Sequence, residues 1–171
     1  MSYWVMAGIL TAAVVLQTTI LPYLQVAGVQ PDLVLLLTVC LGLLNGPREG
    51  LRVGLVGGAI LDIITGRYLG LHTLSLAAAG CLTGYYGKRV FRDNILVPFT
   101  AALAATVLQQ TIVLVLLKVF SGSGGHMMMG TAYTGLILPL ALYHAVVSPF
   151  LFGRLHFMKL QGKLGVPVHE P

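Results

Sequence analysis

The sequence predicts an all-α integral membrane protein, a bundle of six transmembrane helices with both termini in the cytoplasm. Three observations carry this. Of 171 residues, 57 % are hydrophobic and only 9 % charged, whereas typical soluble domains carry about 25 % charged residues. The apolar residues fall into six segments parted by short glycine-, proline- or charge-bearing stretches. The basic residues gather on alternate connections, as they do on the cytoplasmic side of membrane proteins. A soluble domain must wet its outside, and this composition gives it too little to do so with. The length suits one bundle without a second domain.

The segments follow in order. The first covers about 3–23 and ends near Pro22. About 20 residues of helix cross about 30 Å of hydrocarbon. No basic side chain precedes it, so it reads as a span and not as a signal peptide, with Trp4 and Tyr23 near opposite interfaces. The second and third, about 32–45 and 53–66, have 14 residues each. Helices of that length reach about 21 Å, less than the bilayer core. A re-entrant hairpin is the alternative. It would hold Arg48, Glu49 and Arg52 at membrane depth, where each Arg at a helix centre costs about 2.5–3.5 kcal/mol. Local thinning with snorkelling arginines favours six spans instead. The fourth, fifth and sixth segments are about 70–87, 95–120 and 130–153, and 154–171 form a short cytoplasmic tail.

Charge sets the orientation. With the N-terminus inside, Arg48, Arg52, Lys88, Arg89, Arg92, Arg154, Lys159 and Lys163 are cytoplasmic, and Arg67 and Lys118 lie outside. Eight against two is a strong positive-inside bias. The net charge of +5 therefore reports topology and does not imply nucleic acid. Cys40 and Cys81 sit in apolar runs without ligand spacing and read as small core residues. In the outer loop SGSGGHMMMG, His126 and the methionines 127–129 resemble a soft-metal ligand set. Three adjacent methionines do not point one way, however, and an interfacial loop touching lipid or a partner is the better reading.

The third segment carries the polar question. Gly50, Gly54, Gly58, Asp62 and Gly66 recur at every fourth position. They form a slowly turning groove on one helix face, of the small-xxx-small kind through which helices associate in lipid. Ser75, Ala79 and Thr83 of the fourth segment, with Gly80 and Gly84, offer a matching face. The groove is expected to receive that segment or a partner's helix. An intramembrane acid is a functional-site candidate, so Asp62 is open to two readings. It serves function, or it is a helix-end acid held by backbone amides or by Arg67. Asp32, after Pro31, reads as the cap of the second segment, with the proline in its first turn and the acid at its positive pole. Gln17, Gln109, Gln110 and His144 read as hydrogen-bond links between helices. No hydrolase, metalloprotease, P-loop or nucleotide pattern occurs, and neither enzyme activity nor a cofactor is expected.

Three stretches in order, PDLVLLL at 31–37, GLVGGAILDIITGRYLGLHTL at 54–74 and GYYGK at 84–88, together with LQTTILP at 16–22, resemble the rod shape-determining protein MreD family. The resemblance covers most of 16–88 and continues as hydropathy alone. It implies a fold similar to the substrate-binding S-component of energy-coupling-factor vitamin transporters. It further implies a bacterial inner-membrane, multi-pass protein of the cell-elongation machinery that serves peptidoglycan synthesis. The implied partner is MreC, a single-span protein with a periplasmic domain. MreB, RodA and a class B penicillin-binding protein belong to the wider assembly. By position, Pro31, Asp32, Gly58, Asp62, Gly66 and Gly70 match the family pattern. With Gly50 and Gly54 they form the expected partner or helix-packing interface. His72, the methionine cluster and the short tail do not match it. Lys88, Arg89 and Arg92 read as topology signals before a surface for anionic lipid or MreB.

Two rivals stand beside a non-catalytic assembly protein. A vitamin-binding component usually carries AxxxA in its first helix, and here only Gly8-x-x-x-Ala12 occurs. A proton-linked solute transporter would titrate Asp62, with His144 as a conceivable relay partner.

Overall fold

The computed structural model describes residues 3–24, 30–66, 69–89, 96–121, 135 and 137–160. Regular structure among them is helical throughout. Helix α1 (Tyr3–Thr19) leads into a short 3-10 turn, Leu21–Leu24. Then come α2 (Leu33–Asn45), α3 (Pro47–Thr65), α4 (Leu71–Arg89), α5 (Leu96–Ser121) and α6 (Leu138–Leu160). Helices α5 and α6 are each long and apolar enough to cross a membrane.

Helix α2 is the hub of the bundle. It touches each of the other five helices, and eleven of its thirteen residues are buried. A helix that is apolar all round must be enclosed, and LVLLLTVCLGLLN is such a run. Enclosure also accounts for its shortness. A helix ringed by protein has no lipid to match, so about 20 Å is long enough.

The sharpest boundary difference lies between α2 and α3. Helix α3 starts at Pro47, ahead of the apolar segment expected from 53, and takes in Arg48, Glu49 and Arg52. Pro47 stands at its first position, where the missing N–H is no loss. Glu49 occupies the positive first turn and meets Arg52 at 2.7 Å, one helical turn on. Gly46 alone joins the two helices at φ 95°, its N–H closing α2 on the Gly42 carbonyl at 2.8 Å.

Other ends shift for similar reasons. Helix α1 stops at Thr19, short of the expected 23, because Pro22 cannot continue the helical ladder. Helix α6 runs to Leu160, so residues 154–160, expected in the tail, continue a helix. Within it, Pro149 deprives the Ala145 carbonyl of its helical donor. The Ser148 hydroxyl reaches that carbonyl at 3.1 Å and the Pro98 carbonyl of α5 at 2.8 Å, tying the two helices together where α6 is weakened.

The outside of the bundle is apolar. Ile63, Leu69, Val146 and Phe150 are 70–79 % exposed, whereas Thr38, Asp62, Thr106, His144 and Ser148 are buried. Polar groups inside and large apolar groups outside suit lipid as the surrounding medium.

Candidate functional site

Helices α3 and α4 lie antiparallel along a glycine seam. A Cβ on Gly50 would strike the Gly80 carbonyl, one on Gly54 the backbone at Leu76, and one on Gly58 the backbone at Thr73. The contact is reciprocal, since a Cβ on Gly80 would strike the Gly50 carbonyl. At the end of the seam nearest Gly46, α2 joins in: a Cβ on Gly50 would come within 3.0 Å of Gly42 Cα, and one on Gly84 would come within 2.5 Å of Gly46 and Pro47. Three backbones therefore meet where no side chain intervenes. The four-residue spacing makes this possible, because it keeps the small residues on one face while the helices cross. Along Gly50, Gly54 and Gly58 the face is filled by α4.

Asp62 sits where this seam ends. Helix α4 begins at Leu71, and the Gly70 carbonyl accepts its first helical bond, from Leu74 at 2.9 Å. The opening amides of such a helix have no partner of their own. Asp62 supplies one from across the turn. Its Oδ1 accepts the His72 N–H at 2.9 Å. Its Oδ2 accepts the N–H groups of Gly70 and Thr73 at 2.9 and 3.0 Å and the Thr73 hydroxyl at 2.6 Å. A carboxylate of α3 thus caps α4, with its charge at the positive end of the helix. The turn needs two left-handed residues, Gly66 at φ 64° and Gly70 at φ 96°. Nothing lies within 4 Å of where their Cβ atoms would stand. These two glycines shape the chain and do not belong to the packed seam, a distinction that equal spacing conceals.

A second joint holds the start of α2. Asp32 is the N-cap of α2, with extended backbone and its Oδ1 accepting the Leu35 N–H at 3.0 Å. Pro31 precedes the cap and is not in the first turn, because the residue after it already holds the non-helical cap conformation. The Asp32 N–H donates to Nε2 of His144 at 2.8 Å, and Nδ1 of His144 lies 2.9 Å from the Thr106 hydroxyl. A backbone amide can only donate, so Nε2 accepts and the ring proton sits on Nδ1. That proton goes to Thr106, whose own hydroxyl donates to the Ala102 carbonyl at 2.7 Å. One neutral imidazole links α2, α5 and α6. Nearby, Gln17 of α1 accepts the Val34 N–H at 3.3 Å, and Gln30 donates to the Gln17 carbonyl at 2.7 Å.

The two joints are separate: every hydrogen bond described for the Asp62 carboxylate comes from the start of α4, and none from His144. Gln109 is buried and its Oε1 has no partner among the described residues. Among the described residues, no three His, Cys, Asp or Glu side chains gather to hold a metal ion. Cys40 is buried, Cys81 is half-buried, and both are free thiols. Arg67, Arg92, His126, the methionines 127–129 and Lys163 lie outside the described residues, as do the side chains of Lys88 and Arg89. Sequence reasoning passed over Thr73, Thr106, Ser148 and Gly42. Each is an ordinary small residue in its own helix and gains its role from a partner distant in sequence.

Fold and joints together define a class: an all-helical membrane bundle whose buried polar groups fasten helix ends. The chain belongs to the rod shape-determining protein MreD family, whose profile matches residues 1–160. That is a family of membrane proteins with a role in rod shape determination, and it is not known as an enzyme family. Comparisons with curated proteins and with solved structures gave no match.

Proposed function

We propose that this protein is a non-catalytic assembly component of the bacterial cell-elongation machinery. It spans the inner membrane six times with both termini in the cytoplasm, and it holds the transmembrane helix of MreC. MreB, RodA and a class B penicillin-binding protein stand in the wider peptidoglycan-synthesising assembly. Family membership supports the setting. The observation that carries the reading against a proton-linked transporter is the saturation of Asp62. Four accepted hydrogen bonds, all from one helix start, suit a structural joint better than a group left open to a passing solute. Likewise, both nitrogens of His144 are engaged in holding helices.

The test is affinity purification of the full chain in mild detergent with co-expressed MreC. Stoichiometric recovery of MreC is the expected result. A wild-type protein that retains no MreC, or that carries a bound vitamin, would sink the reading. So would an Asp62→Asn variant that abolishes a pH-dependent solute flux while still binding MreC.

A further inference from the structure

We draw no further inference here: the strongest candidate, the pair of separate apolar clefts at the two ends of α4, one walled by α4 and α5 and the other also by Leu55 of α3, supports no assignment, since nothing in the structure shows what covers it.

Discussion

At the scale of single residues, Asp62 shows how a bilayer protein uses a charge without exposing it. The first amides of α4 have no helical acceptor of their own, and a side chain from the preceding helix supplies one. Asp62→Ala leaves three backbone N–H groups and one hydroxyl without that acceptor. Losing a cap costs about 0.5–2 kcal/mol, and each buried donor left unmade adds about 1–3 kcal/mol. Some of these donors will find new partners on relaxation, so the expected loss is about 2–4 kcal/mol. Asp62→Asn, which keeps one acceptor oxygen but turns an amide donor toward donors, should fall between alanine and wild type. Reversible unfolding in mixed micelles, followed by circular dichroism, measures both. Equal stability of the alanine variant and wild type would remove the cap from the account.

At the scale of elements, the glycines divide into three kinds that look alike in sequence. Gly54 allows α3 and α4 to touch, Gly66 allows the chain to turn, and Gly153 faces open space within α6. The same substitution should therefore act in opposite directions. Gly153→Ala gains helix propensity and should stabilise by up to about 1 kcal/mol. Gly54→Ala must push apart two backbones that have no flexible atom to yield, and should destabilise by about 1–3 kcal/mol or more. Thermal midpoints of the two variants in one detergent check this. Destabilisation of both by similar amounts would mean that propensity and not packing governs the seam.

At the scale of the whole molecule, the arrangement is a short buried helix ringed by longer ones, with an apolar exterior. The orientation proposed from charge is open to direct measurement. In a Cys40→Ala, Cys81→Ala background, Tyr23→Cys in the 3-10 turn after α1 should react with an impermeant maleimide in intact cells. Arg154→Cys near the end of α6 should react only after lysis. Both positions are exposed, Tyr23 at 88 %. The reverse pattern would invert the bundle.

The sequence alone determined that this chain is a helical membrane protein of a recognisable family. Composition, the separation of apolar runs and the order of PDLVLLL and GLVGGAILD are local properties that survive without coordinates. It also offered Asp32 as a cap, since an N-cap bonds within its own first turn. It left the role of Asp62 open between function and helix-end capping. Tertiary structure decided which helix fills the glycine face, that Asp62 caps the following helix, and that His144 is held from two other helices. It also showed that the second segment is short because it is enclosed. Each of these depends on a partner in another helix, 8–112 residues away in sequence for the hydrogen bonds. Helical periodicity says which residues share a face, but only the packing of whole helices says what that face meets.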